Sequence, residues 1–83
     1  MPNTLDELRP GEIGVIAEIV GADASLARRL AEMGLTAGEK VEGLAVAPWG
    51  DPLEIRLRGY RLSLRKREAR CVKLASAVDP SDG

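Results

Sequence analysis

The chain has 83 residues, 12 basic and 13 acidic, a net charge of −1 with no histidine, and 45% hydrophobic residues that are nearly all aliphatic. That length holds one modest core, and neither a second module nor a deep active-site cavity is expected. One cysteine gives no internal disulfide, no apolar run approaches the roughly 20 residues of a membrane span, and "MPNTLDELRPGE" lacks the character of a secretory signal. The expectation is a single soluble, intracellular domain.

Thr4 and Glu7 have capping-box spacing, which predicts one short helical turn with Leu5 and Leu8 facing a core. Pro10-Gly11 fits a type II turn. "IGVIAEIV", Ile13 to Val20, reads as a strand with Ile13, Val15, Ala17 and Ile19 on one face, although adjacent Val15 and Ile16 leave its phase open. Asp23 or Ser25 can cap a short helix whose apolar stripe is Leu26, Leu30 and Met33, with Arg28, Arg29 and Glu32 turned to solvent. Gly34 suits a left-handed helix stop, with Leu35 folding back on Leu30. Gly38 reverses the chain again. A phosphate cradle places its glycines before a helix, and these follow one, so Gly11, Gly34, Gly38 and Gly59 are assigned as structural turns.

In "KVEGLAV", Val41 lies in one phase and Leu44 and Val46 in the other, which a bulge at Gly43 reconciles. "LEIRLRGYRLSLR" reads as a hairpin. Turning it at Arg58-Gly59 pairs Leu57 with Tyr60, Ile55 with Leu62 and Leu53 with Leu64, so every apolar residue falls on one face. "KREA" is expected to form a tight turn, and "CVKL" a last strand with Val72 and Leu74 inward. Residues 76–83 read as a loose tail, leaving one domain over residues 1–75. Five short strands, a curling bulge and one small helix predict a mainly β fold, a small closed or nearly closed barrel.

Charge is unevenly placed. Residues 1–54 carry 4 basic and 10 acidic side chains, whereas residues 55–75 set Arg56, Arg58, Arg61, Arg65, Lys66, Arg67, Arg70 and Lys73 against Glu68 alone. This is either a surface for an anionic partner or a solvated strand face. Without histidine the commonest general base and metal ligand is missing, and Cys71 has no second thiol or imidazole to complete a zinc or nucleophile constellation. Cys71 is a small apolar filler, or a thiol whose pKa nearby Arg70 and Lys73 lower. No catalytic, cofactor-binding or metal-binding residue is assigned, and no enzyme is expected.

Binding is better supported. Trp49 in "APWGDP" is an interface anchor or a lid on the core, with Asp51 beside it. Arg56, Arg58, Arg61 and Arg65 alternate on the outer hairpin face as a basic stripe. These six residues are the partner-binding candidates. A nucleic-acid barrel adds stacking aromatics to such a face, and only Tyr60 is near. A protein surface with acidic patches is therefore the simpler partner, with a small nucleic-acid-binding barrel as the alternative.

With these residues in view, the chain resembles the FeoA family of bacterial ferrous iron transport. The likeness runs from "LRPGE" through "RRLAEMGLTAGEKVE" and "GDPLEIRLRGYRLSLRKREA" to "CVKL"; "RLAEMGL" followed by Gly38, the loop "GDP" and "LSLRKREA" are its most specific parts. Ala37 stands where the family often has proline. The resemblance implies an SH3-like barrel with an inserted helix and no activity or cofactor of its own. It also implies a cytoplasmic accessory protein of the membrane iron transporter FeoB, recruited to the inner face of the membrane through it. The family is similar as well to the C-terminal domain of iron-dependent repressors. A GTPase partner would make Arg28, Arg29, Arg58 and Arg65 chemically able to act as an arginine finger, and nothing in the sequence selects one.

Overall fold

Leu5–Glu7 form a 3-10 turn, followed by β1 (Ile13–Ile19), α1 (Ala24–Glu32), β2 (Lys40–Val46), β3 (Leu53–Leu57), β4 (Tyr60–Leu64), α2 (Lys66–Ala69) and β5 (Val72–Leu74). These elements belong to a computed structural model that describes residues 3–75; the expected tail over 76–83 lies outside them. All strand pairings are antiparallel, in the order β4-β3-β2-β1-β5. The sheet curls but does not close: among the described residues β4 and β5 do not pair, and Thr4 bridges to Lys73 at the β5 side.

Local chemistry explains each element. Glu7 reaches back to the N–H groups of Asn3 (2.7 Å) and Thr4 (3.4 Å), satisfying donors at the start of the 3-10 turn. Asp23 Oδ1 accepts the Leu26 N–H at 2.8 Å and so caps α1. At the other end of α1 the Leu35 N–H reaches the Leu30 carbonyl (3.1 Å) and the Gly34 N–H that of Ala31 (2.9 Å), both bonds of a Schellman stop. Gly34 there has φ +95°, and a Cβ would lie 3.1 Å from Leu57 Cδ2. The residue thus answers to backbone conformation and to packing at once.

The hairpin has the expected register, Leu57↔Tyr60, Ile55↔Leu62 and Leu53↔Leu64. Leu53, Ile55, Leu57 and Leu64 are buried, joined in the core by Leu5, Leu8, Ile16, Leu30, Leu35, Val41, Ala69, Val72 and Leu74. Leu26 and Met33 pack against its margin. Tyr60 departs from the expected inward set: it is 46% exposed, and its hydroxyl donates to the Met33 carbonyl at 3.2 Å.

Two further expectations are corrected. In β1 the buried side chain is Ile16, and Ile13 is 51% exposed. A register shift between Ile16 and Glu18 changes the phase partway along, which simple alternation cannot anticipate. "KREA" is a helix rather than a turn, because Glu68 accepts the Arg65 N–H at 2.9 Å and Asp51 accepts the Lys66 N–H at 3.0 Å, meeting free donors at its start. Arg29 is exposed as expected, and its guanidinium also binds the carboxylate of Glu68, which is only 5% exposed. One buried carboxylate thereby ties α1 to α2 and starts α2 as well.

The bulge lies where it is expected, between Gly43 and Ala45. The reason for glycine there is different. A Cβ on Gly43 would sit 2.3 Å from the Arg9 carbonyl oxygen, because the turn before β1 crosses β2 backbone against backbone. The Gly11 N–H donates to the Gly43 carbonyl (2.8 Å) and the Gly43 N–H to that of Glu12 (2.9 Å). Gly43→Ala must push two hydrogen-bonded backbones apart and should cost about 3 kcal/mol. Gly59→Ala, at positive φ in open space, should cost about 1–2 kcal/mol. Urea unfolding of both variants checks this ranking.

Candidate protein-docking surface

Register decides what the outer face of the sheet carries. Ile13 lies opposite Glu42, Glu42 opposite Arg56 and Arg56 opposite Arg61, which sets one row across four strands. Like charges on Arg56 and Arg61 would repel. Each has a carboxylate instead: Arg56 Nη1 lies 3.4 Å from Glu42 Oε1, and Arg61 Nη1 3.8 Å from Glu54 Oε1. At the hairpin tip Arg58 pairs with Glu39. Of the four stripe arginines, only Arg65 has no ion pair among the described residues. The face is laced with both signs of charge rather than uniformly basic. Beside it lies a groove of about 190 Å³ lined by Ile13, Lys40, Val41, Glu42, Arg56, Arg58 and Gly59.

The six candidates do not converge. Arg58 sits at one end of the hairpin; Trp49, Asp51 and Arg65 sit at the other, separated by the length of β3, roughly 13 Å at about 3.3 Å per residue. Trp49 is 81% exposed in the β2–β3 loop and does not cover the core. Asp51 has an internal task, holding the Lys66 N–H. Cys71 packs against the core margin with its thiol toward the Arg67 carbonyl at 3.6 Å. A larger groove, about 450 Å³, separates α1 from α2 and is lined by Asp23, Ser25, Leu26, Arg29, Arg67 and Cys71 among others. Among the described residues no group of three or more Cys, Asp or Glu is gathered to hold a metal ion, and no helix is long and apolar enough to cross a membrane.

Sequence reasoning missed Glu39, Glu42 and Glu54 as partners of the arginines. "EKVE" was the available signal for Glu39 and Glu42, and only the β2–β3 pairing turns it into contacts; Glu54 lies within the hairpin itself. Arg29 and Glu68 are 39 positions apart, and no local pattern announces them.

These features define a small SH3-like domain. A model of the FeoA domain matches residues 3–75, and the chain belongs to the FeoA family. It is similar to FeoA of Stenotrophomonas maltophilia, solved in complex with zinc and described as an SH3 domain protein, at 34% identity and a TM-score of 0.79, covering 92% of this chain and 93% of that one. A FeoA-like protein from Clostridium acetobutylicum gives 32% identity and a TM-score of 0.80 over 95% of this chain and 93% of that one. A fusion of Fe(2+) transport protein A with the Fe(2+) transporter FeoB from Porphyromonas gingivalis is 34% identical over 65 residues, which is 78% of this chain and 8% of the fusion protein.

The tip ion pair has a pH signature. Hydrogen bonding and charge from Arg58 hold the Glu39 carboxyl below the usual carboxylate range, and Glu39 in turn raises Arg58. Because the folded-state pKa is depressed, the pair's contribution to stability is present above the ordinary carboxylate pKa and is lost as pH falls through the folded value. A carbon-detected NMR titration should find Glu39 titrating low in the wild type and returning to the ordinary range in Arg58→Gly.

Proposed function

We propose that this chain is a non-enzymatic, cytoplasmic accessory protein of bacterial ferrous iron uptake. It docks on FeoB through the outer face of the β3–β4 hairpin and modulates transporter assembly or GTPase-linked transport. The observation that carries this is the P. gingivalis fusion, in which a domain similar to this chain is joined covalently to the transporter. Two proteins fused in one organism commonly act together where they are separate, because fusion raises the effective concentration of an encounter that already matters. The S. maltophilia relative, put forward as a bacterial ferrous iron transport activating factor, points the same way.

The hairpin face suits a protein better than a nucleic acid. Three of its four arginines are already held by carboxylates, so few are left to replace the counterions of a phosphate backbone. A partner that offers both signs of charge can exchange these ion pairs, while half-exposed Ile13 supplies apolar area at the β1 end of the row.

Arg58 gives a clean test. It has φ +53° in the turn, where glycine is more comfortable, so Arg58→Gly should leave thermal stability unchanged or raised. Titration calorimetry with the soluble GTP-binding domain of FeoB should show binding weakened about tenfold in Arg58→Gly and further in Arg56→Glu/Arg61→Glu, the order of a lost charged contact. A GTP hydrolysis assay on the same samples reads modulation. Unchanged binding in both variants would remove the hairpin from the interface.

A further inference from the structure

The hairpin arginines are neutralised, but the cations that follow them are not. Arg65, Lys66, Arg67 and Arg70 are all exposed, and none takes part in an ion pair among the described residues. Glu68, the only acidic residue in their segment, is turned inward and held by Arg29. Four free positive charges are thus concentrated on and beside a helix of one turn.

Trp49 stands next to them. Asp51, two residues on, holds the Lys66 N–H, and Gly50 approaches the Lys66 ammonium so closely that a Cβ there would lie 4.0 Å from Nζ. The indole is 81% exposed on its loop, with Val46 half-exposed at the end of the strand below. Neither groove described above includes Trp49.

We infer that Trp49 and the cations of α2 form a seat for an anionic phospholipid surface. Indole rings favour the headgroup level of a bilayer, where an apolar body and a polar N–H are both satisfied. Basic side chains beside them are drawn to an acidic leaflet, each by roughly a factor of five in affinity. A projecting aromatic suits a soft interface it can enter; an acidic peptide would need a trough beside the indole, and the groove that Arg67 lines does not include Trp49. Among the described residues the cations also have no ion-pair partner to fix their geometry, and a fluid array of headgroups requires none. This seat lies at the far end of the hairpin from Arg58, so a domain resting on the leaflet still presents its tip to a neighbouring protein. The inference needs no transporter to be correct.

The full chain carries one tryptophan, which makes its emission a direct report on Trp49. Titration with vesicles containing phosphatidylglycerol should shift that emission to the blue, with the lipid requirement rising as salt is added. Pure phosphatidylcholine vesicles should leave it unmoved. Lys66→Gln/Arg67→Gln/Arg70→Gln, which keeps good helix formers in place, should raise the lipid needed about a hundredfold. In co-sedimentation, Trp49→Ala should bind more weakly while keeping its salt dependence. Emission unmoved by anionic vesicles, an equal response to neutral ones, or wild-type binding by the triple variant would each overturn the inference. A shift produced by the FeoB soluble domain and not by vesicles would assign the surface to protein and overturn it equally.

Discussion

The sheet takes its curl from a place where two backbones touch. The turn over Arg9–Glu12 lies on β2 at Gly43, fastened by hydrogen bonds of 2.8 and 2.9 Å, and any side chain at that position would occupy the space of the Arg9 carbonyl. From this crossing β1 leaves antiparallel to β2, with Ile13 opposite Glu42. Immediately beyond it the bulge sharpens the twist of β2. The concave side so formed is filled by leucine, isoleucine and valine from every element but α2, which adds Ala69. Among the described residues Glu68 is the one buried charged group, and its partner is Arg29. An interior of that kind supports the fold and offers no reactive group to a ligand. The other charged side chains among the described residues reach the outside.

That outside is divided by strand register rather than by net charge. Residues 55–75 hold eight basic side chains, yet Arg56, Arg58 and Arg61 of the hairpin meet carboxylates at Glu42, Glu39 and Glu54. Such exposed pairs add little stability, about 0–1 kcal/mol each. Their larger effect is on recognition, since a paired arginine presents a dipole to an approaching partner and an unpaired one presents a full charge. β2 reaches as far as the hairpin and no further, so compensation stops at Arg65. One segment of basic sequence therefore becomes two surfaces of different electrostatic kind.

Much of this was legible before any coordinates. The hairpin register followed from alternation alone, because a slip of one residue would have exposed Leu53, Ile55 and Leu57 together. The helix stop at Gly34 and Leu35 followed from local chemistry, and the bulge at Gly43 from conflicting phases. Failures came where distant parts meet. Ile16 replaced its neighbours in the core because of a register shift set by pairing with β5. α2 needed Asp51 to hold the Lys66 N–H from another loop. The basic stripe looked uniform because Glu39 and Glu42 reach it only through the pairing of β2 with β3, while Glu54, inside the hairpin pattern itself, is a partner that alternation does not single out.

Arg58 is where the local rules are broken without gain to the fold. Every other positive-φ residue among those described is glycine. The following turn position is Gly59, at φ +84°, so the sequence supplies the favoured residue for one of the two left-handed positions and withholds it from the other. Arginine there carries a conformational strain of order 1 kcal/mol. The ion pair with Glu39 is exposed at the arginine end and returns no more than a comparable amount. Nothing buried depends on the side chain. A strained arginine, held at the tip by its ion pair with Glu39, is poorly explained by stability, and that is the ground for proposing a contact there.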